Sequence, residues 1–187
     1  VERAAELGYE ALAVTDHDGF YGLVKFWSAA REVGLPAVYG AELSLPQLGE
    51  AEEGAEQPFE AARMWDTSKS LAASGESPGW RRGRIRRRHG SKVGDRWPVD
   101  HLVVLAPSPQ GNAQLSRLIS QAQLRGEKDR PVYRWDDLAE AAIKGELVAL
   151  TGCWQGAVPR AAARGEHAAA VRAAARLREI FGRRLHI

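Results

Sequence analysis

Short apolar runs alternate with longer amphipathic segments along most of the chain. The apolar runs are typical of buried strands, and they occur at residues 12–14, 37–39, 102–106, 147–150 and 185–187. Segments with an apolar stripe at helical spacing predict helices over residues 2–8, 20–33, 111–125, 135–143 and 167–181. This alternation predicts an α/β fold around a parallel sheet, either open or closed into a barrel. Right-handed crossovers would bring the loops that follow the strands to one common face.

The segment of residues 46–98 interrupts this alternation. Only 5 of its 53 residues are Leu, Ile, Val or Phe, which are too few to bury a core against the entropy of ordering. It begins acidic and ends basic, and its 10 Lys and Arg against 8 Asp and Glu account for the whole formal charge of +2. The sequence therefore predicts a disordered, low-complexity charged insertion that divides one domain into the parts 1–45 and 99–187.

The basic half of this insertion contains a run of six arginines: Arg81, Arg82, Arg84, Arg86, Arg87 and Arg88. Guanidinium groups neutralise phosphates and release counterions, so the run is a candidate for nucleic-acid contact. The alternative is a solvated linker whose charges bind nothing specific. Aromatic residues stand only at the edges of the run, at Trp80 and Trp97, and no known binding motif surrounds it.

Length and composition narrow the class of protein. The 187 residues suit one domain or a large piece of one, and we expect a fragment truncated at both ends, because the chain starts in a helical pattern and stops in a strand-like run. The single cysteine, Cys153, excludes a disulfide framework and a multi-cysteine zinc module. No apolar stretch approaches the roughly 20 residues that span a membrane, and no signal peptide opens the chain. These features predict a cytoplasmic protein without a membrane partner.

Polar side chains stand at the ends of the predicted strands. Asp16, His17 and Asp18 follow the first strand, Glu42 follows the second, and His101 opens the third. Imidazole nitrogens and carboxylate oxygens are suitable ligands for Zn²⁺ or Mn²⁺, and a neighbouring aspartate binds the metal or orients an imidazole. Each residue alone also has an ordinary role, as a turn, a salt-bridged carboxylate or a hydrogen-bonded strand end. Their convergence at one rim would make a metal site.

Other catalytic patterns are missing from the sequence. It contains neither a glycine-rich phosphate loop nor a Gly-x-Ser-x-Gly elbow. Cys153 follows the apolar run 147–150, where it is a nucleophile, a soft metal ligand or simply a small buried residue at a strand end. We identify no catalytic residue in this chain from its sequence.

Several motifs resemble those of the PHP (polymerase and histidinol phosphatase) domain family. Leu12–Gly22 is similar to the family's second metal motif, Val38–Leu43 to the segment that supplies a glutamate ligand, and His101–Ala106 to the strand after it. Ala122–Tyr133 and Leu150–Cys153 narrow the resemblance to the bacterial error-prone DNA polymerases, relatives of the polymerase III alpha subunit. The resemblance spans most of the chain outside the insertion.

The resemblance implies an incomplete, distorted (β/α)₇ barrel of the PHP type. It implies that His17 and Glu42 are metal ligands, with Asp16 or Asp18 in support and a looser match at His101. The family's first His-x-His motif would precede this chain and its last Asp-x-His motif would follow it. The chain would therefore carry about half of a site for Zn²⁺ or Mn²⁺.

For the intact protein, the resemblance implies a nucleotidyltransferase that copies DNA with low fidelity during replication and damage-induced translesion repair. Its partners would be template-primer DNA, deoxynucleoside triphosphates and lesion-bypass accessory proteins. The polymerase palm and its Mg²⁺ ions would lie outside this fragment, which alone is expected to be inactive. Two alternatives stay open: a stand-alone metal-dependent phosphoesterase of the histidinol-phosphatase kind, and a non-catalytic nucleic-acid-binding module built around residues 81–88.

Overall fold

The computed structural model describes residues 1–48 and 99–187, which form six α-helices and one five-stranded sheet. The helices are α1 (Glu2–Glu6), α2 (Leu23–Glu32), α3 (Pro109–Arg125), α4 (Trp135–Gly145), α5 (Ala157–Ala163) and α6 (His167–Phe181). The strands are β1 (Leu12–His17), β2 (Ala37–Pro46), β3 (Val99–Ala106), β4 (Val148–Leu150) and β5 (Leu185–His186). The predicted α/β class is confirmed. Among these residues, none of the helices combines the length and apolar character needed to cross a bilayer.

The five strands lie side by side in chain order, and one of them runs against the others. β1 pairs with β2 and β4 pairs with β5 in parallel, whereas β3 is antiparallel to both β2 and β4. The prediction of an all-parallel sheet is therefore wrong at β3. Strand direction depends on the connection that delivers the strand, which an apolar run does not reveal. As a result, the carboxyl ends of β1, β2 and β4 share one edge of the sheet with the amino end of β3.

The first three strands are longer than the apolar runs that predicted them, whereas β4 and β5 are each one residue shorter. β1 continues through His17, and β2 continues through Glu42 to Pro46. A strand with one buried face alternates apolar and polar residues, so a search for continuous apolar runs stops too early. The helix α5 was not predicted, because its seven residues are mostly alanine and include Pro159 in the first turn, where proline is tolerated.

One face of the sheet forms the core. Side chains on this face of the two longest strands, β2 and β3, pack against α3, α4 and α6, and they are Ala41, Leu43, Leu45, Leu102, Val104 and Ala106. Successive side chains of a strand point to opposite faces, so Glu42, Ser44 and His101 lie on the other face. The sheet thereby separates the apolar core from Glu42 and His101, and from His17, which lies in register with Glu42.

The first residues of the predicted insertion are attached to the folded body. Pro46 ends β2, and Leu48 packs against the core. The Leu48 N–H donates to Asp100 Oδ2 at 2.9 Å, and Asp100 Oδ1 lies 2.5 Å from Arg160 Nη2 of α5. Asp100 is only 2% exposed, so this is a nearly buried ion pair. The rest of the predicted insertion, with the arginines of residues 81–88, lies outside the described residues.

The residue that ends α4 leads to a stability prediction. Glu146 has a left-handed backbone with φ +51, a conformation that is strained for residues with a Cβ atom and free for glycine. We expect Glu146→Gly to raise the free energy of unfolding by about 0.5 kcal/mol in urea denaturation. The matched control is Lys144→Gly inside the last turn of α4, which should lower it by up to about 1 kcal/mol. A loss of stability in both variants would contradict the assignment of strain to Glu146.

Candidate metal centre

Three of the predicted ligands converge at the shared edge of the sheet. His17 ends β1 and lies in register beside Glu42 on β2, and His101 near the start of β3 pairs with Ser44, two residues beyond Glu42. One ligand atom from each of His17, Glu42 and His101 lies within 4.8 Å of the others. Ligand atoms around a tetrahedral Zn²⁺ are about 3–4 Å apart, so small side-chain rotations would place all three on one ion.

Glu42 lies between the two imidazoles and contacts both. Its Oε1 atom is 2.8 Å from His101 Nδ1, and its Oε2 atom is 3.3 Å from His17 Nε2. The two rings meet edge to face, with centroids 4.9 Å apart. Glu42 and His101 are largely buried, whereas the side chain of His17 is 59% exposed. Packing thus holds the candidate ligands Glu42 and His101, and the cluster is accessible to solvent on the side of His17.

The electrostatic environment keeps Glu42 ionised. Burial by itself raises the pKa of Glu42, but hydrogen bonds with Cys153 and His101 and the nearby imidazoles of His17 and His101 outweigh burial and lower it below its ordinary value. An ionised carboxylate is the form that binds a cation. The cluster is therefore ready to bind a metal without first losing a proton from Glu42.

Cys153 lies at the border of this cluster. Its Sγ atom is 3.7 Å from His101 Nδ1, and the thiol hydrogen-bonds to Glu42. Burial raises the pKa of Cys153, and the hydrogen bond to Glu42 raises it further, so the free thiol is a weak nucleophile. Metal ligation by this sulfur would also require loss of the thiol proton, and Cys153 stands outside the group of His17, Glu42 and His101 that converges within 4.8 Å. The signal in the sequence is that Cys153, like His17 and Glu42, comes close to the end of an apolar strand.

Asp16 does not join the cluster. It alternates with His17 along β1 and therefore points to the opposite face of the sheet. Its Oδ2 atom accepts a hydrogen bond of 2.6 Å from the backbone N–H of Gly22, the residue before α2. The carboxylate thus closes the loop between β1 and α2.

Asp18, directly after His17, forms hydrogen bonds that connect the end of β1 to β2 and to α3. It has a left-handed conformation with φ +50, and its N–H donates to the carbonyl of Glu42 at 2.9 Å. Its carboxylate accepts hydrogen bonds from the N–H and the hydroxyl of Ser44, at 2.9 and 2.8 Å. Its carbonyl accepts a hydrogen bond of 2.9 Å from Gln123 Nε2 of α3. In this geometry Asp18 orients the residues around the cluster and does not contribute an atom to it.

A buried tyrosine adds to the contacts of Asp18. Tyr133 is almost fully buried, and burial raises its pKa above the ordinary value, with the negative charge of Asp18 raising it further. The phenol is therefore protonated at any physiological pH. Its hydroxyl faces a carboxylate that is already fixed by Ser44.

We expect Asp18→Ala to lower the free energy of unfolding by about 2 kcal/mol and to weaken metal binding about tenfold. Alanine leaves two donors of Ser44 unpaired and tolerates the left-handed backbone poorly. Urea denaturation and a metal titration measure the two effects. Asp18→Asn keeps one acceptor and a preference for that backbone, so it should lose less than half as much of each. Equal losses in the two variants would contradict the proposed contacts.

Comparisons with known proteins point in one direction. A family model described as the PHP domain matches residues 1–187. The error-prone DNA polymerase of Mycobacterium tuberculosis strain H37Rv is 40% identical over 182 residues, covering 97% of this chain and 13% of that protein. The error-prone DNA polymerase of Nocardia farcinica is 42% identical over 158 residues, covering 83% of this chain and 13% of that protein. This chain thus spans about 13% of the length of these relatives.

A comparison with solved structures also finds a similar chain. It is the crystal structure of a proposed metal-dependent phosphoesterase from Bifidobacterium adolescentis, which is 21% identical to this chain. The match has a TM-score of 0.32 and covers 91% of this chain and 44% of that one.

Proposed function

This chain belongs to the PHP domain family, and from that premise we propose that it is the PHP domain of an error-prone DNA polymerase and holds a divalent metal ion. The observation that carries the metal assignment is the convergence of His17, Glu42 and His101, which are separated by up to 84 residues in sequence, within 4.8 Å. The identities of 40% and 42% to two error-prone DNA polymerases support the choice of polymerase branch.

The donor atoms of the cluster fit a transition metal ion. Two imidazoles and one carboxylate suit Zn²⁺ and Mn²⁺ alike, and the thiol of Cys153 beside them favours the softer Zn²⁺. When bound, such an ion would supply Lewis-acid polarisation of a phosphoryl oxygen and a lowered pKa for water. The residues of this chain would contribute a fixed carboxylate between two imidazoles and an exposed side at His17 through which a phosphate could enter.

In the intact polypeptide, we propose low-fidelity DNA synthesis across damaged template bases during replication and repair. The partners would be template-primer DNA, deoxynucleoside triphosphates and lesion-bypass accessory proteins, and the polymerase Mg²⁺ ions would lie outside this chain. Primer extension over a template with a single lesion tests the proposal, with an undamaged template as its control. Failure to extend on both templates with any divalent metal would contradict it.

The exposed side of the cluster favours a second candidate, the hydrolysis of phosphoesters by the PHP domain itself. The metal-loaded chain would be assayed with bis(p-nitrophenyl) phosphate and with a 3′-labelled DNA strand, and Glu42→Gln serves as the inactive reference. Turnover that depends on both metal and Glu42 would support this candidate. Metal uptake without any turnover would favour a structural role for the ion.

A third candidate is nucleic-acid binding by the arginines of residues 81–88. The support for it is their density in the sequence. Deletion of residues 79–92 should abolish the salt-dependent binding of DNA by this chain. Binding that survives the deletion would contradict this candidate.

A further inference from the structure

The charges of the described residues are divided unevenly along the chain. Residues 157–187 contain 7 arginines and 2 glutamates, whereas residues 1–48 and 99–156 together contain 9 Lys and Arg against 14 Asp and Glu. The helices α5 and α6 and the residues after them are therefore strongly basic, while the rest of the described fold is acidic. Such an asymmetry indicates a surface for an anionic partner.

Four of the seven arginines have no role inside the fold. Arg160 pairs with Asp100, Arg176 pairs with Glu179, and Arg184 donates to the backbone carbonyls of α4 and of the residue before β4. Within residues 1–48 and 99–187, the other four arginine side chains form neither an ion pair nor a hydrogen bond, and all are exposed: Arg164, Arg172, Arg178 and Arg183. Guanidinium groups stay charged at physiological pH, so these side chains are free to contact an anion.

The outer side of α6 points away from the candidate metal centre. Ala173, Leu177 and Phe181 bury the inner side of this helix in the core. That core lies on the face of the sheet opposite to Glu42 and His101. An anion bound on the outer side of α6 is therefore separated from the candidate metal centre by the helix and the sheet.

The exposed arginines of α5 and α6 form one surface. Arg172 and Arg176 are four residues apart and are therefore neighbours on the helix. Gly165, directly after Arg164, lines the same surface depression as Arg172, so the turn between the two helices extends this surface. We define the arginine face by these residues and one further exposed arginine of α6: Arg164, Arg172, Arg176 and Arg178.

The neighbouring side chains favour the backbone of a nucleic-acid duplex as the anion. Phe181 is the only Phe, Tyr or Trp of residues 157–187 and is 1% exposed, so no ring can stack on unpaired bases. Val171 is the only large apolar side chain exposed on α6, whereas the centre of a protein–protein interface carries several such anchors. Arginine binds phosphate oxygens through two parallel N–H groups. The 15 residues of α6 extend over about 22 Å, which equals about six base-pair steps.

We propose that the arginine face binds the phosphate backbone of double-stranded DNA without reading its sequence. Contacts of this kind position a protein on a duplex and carry no sequence information. The proposal goes beyond the proposed function, because it assigns a duplex contact to the PHP domain itself and requires no metal ion.

The test measures binding of the 187-residue chain to a fluorescein-labelled duplex of about 20 base pairs. Fluorescence anisotropy is recorded between about 50 and 200 mM NaCl without divalent metal. The combined variant Arg164→Gln, Arg172→Gln and Arg178→Gln should weaken binding at the lowest salt at least about tenfold. It should also reduce the slope of log affinity against log salt by about 2–3. Glutamine has nearly the helix propensity of arginine, so the fold should be retained.

The matched control removes the same number of positive charges from other helices. The combined variant Arg3→Gln, Lys25→Gln and Arg117→Gln changes exposed residues of α1, α2 and α3. It should weaken binding less than about threefold, because these side chains lie outside the arginine face. Equal losses in the two combined variants would show that net charge alone attracts the duplex and would overturn the proposal.

Deletion of residues 79–92 separates the arginine face from the arginines of residues 81–88. Binding that survives the deletion and still requires Arg164, Arg172 and Arg178 supports the arginine face. A shortened chain that no longer binds the duplex overturns the proposal. Labelled poly-L-glutamate, titrated at the same salt, tests for an acidic protein partner, and tighter binding of this polymer than of the duplex would also overturn it. Because divalent metal is left out, none of these outcomes depends on the candidate metal centre.

Discussion

Replacing Glu42 with glutamine is expected to weaken Zn²⁺ binding by at least about 100-fold. Among the described residues, Glu42 is the only carboxylate of the ligand cluster, and each of its oxygens contacts a different imidazole. The neutral amide keeps the size of the side chain but loses the charge that attracts the cation and holds both rings. The loss of Zn²⁺ affinity on replacing Glu42 should exceed the 10–100-fold loss that is typical when a residue hydrogen-bonded to a metal ligand is replaced.

A competition titration against a chromophoric chelator measures the affinity for Zn²⁺, and Co²⁺ absorption reports whether the sulfur of Cys153 joins the ligands. Glu140→Gln is the matched control, because Glu140 is an exposed carboxylate on α4 that pairs with Lys144. It should bind Zn²⁺ as the unmodified chain does. Unchanged affinity in Glu42→Gln would show that the metal binds elsewhere and would contradict the proposed centre.

Replacing Arg160 with methionine is expected to lower the free energy of unfolding by about 3 kcal/mol. Methionine keeps the apolar stem of the side chain but leaves the carboxylate of Asp100 buried without its counter-ion. Asp100 cannot turn toward water without also releasing the N–H of Leu48. The penalty is at the lower end for broken buried pairs because Arg160 itself retains some exposure.

Urea denaturation of Arg160→Met is compared with that of Arg176→Met. Arg176 pairs with Glu179 on the exposed surface of α6, where an ion pair contributes at most about 0.5 kcal/mol. The double variant Asp100→Asn with Arg160→Met removes the unpaired charge and should recover part of the lost stability. Similar losses in Arg160→Met and Arg176→Met would contradict the buried character of the first pair.

The helix α6 illustrates what an apolar pattern determines. Its bounds, His167–Phe181, agree with the prediction, because Ala173, Leu177 and Phe181 recur at helical spacing and all are buried. β1 and β2 show what such a pattern misses, since their last residues alternate between the core face and the polar face. The PHP resemblance predicted from the motif Leu12–Gly22 is confirmed by a family match over the whole chain.

The sequence predicted which residues belong to the candidate site better than it predicted how they are arranged. The sequence predicts His17 and Glu42 as ligands because they follow predicted strands, and the register of β1 and β2 places them side by side. His101 begins its strand, so in an all-parallel sheet it would lie at the far edge; the reversed direction of β3 brings it to the cluster. That reversal, and with it the contact of Cys153 with His101, depends on pairing between distant segments that no local pattern encodes. Metal ligation by these residues stays a prediction.

The pairing of β2 with β3 also bears on how this domain tolerates changes in length. The two strands pair in antiparallel fashion, with Pro46 opposite Val99. The hydrogen bond from Leu48 to Asp100 joins the end of β2 to the start of β3 just beyond that point. Because these contacts involve only the two strands and Leu48, the number of residues between Leu48 and Val99 can increase or decrease over evolutionary time without altering them. Neither change would shift His101 relative to Glu42. The same junction is a natural place to graft a reporter or an affinity tag.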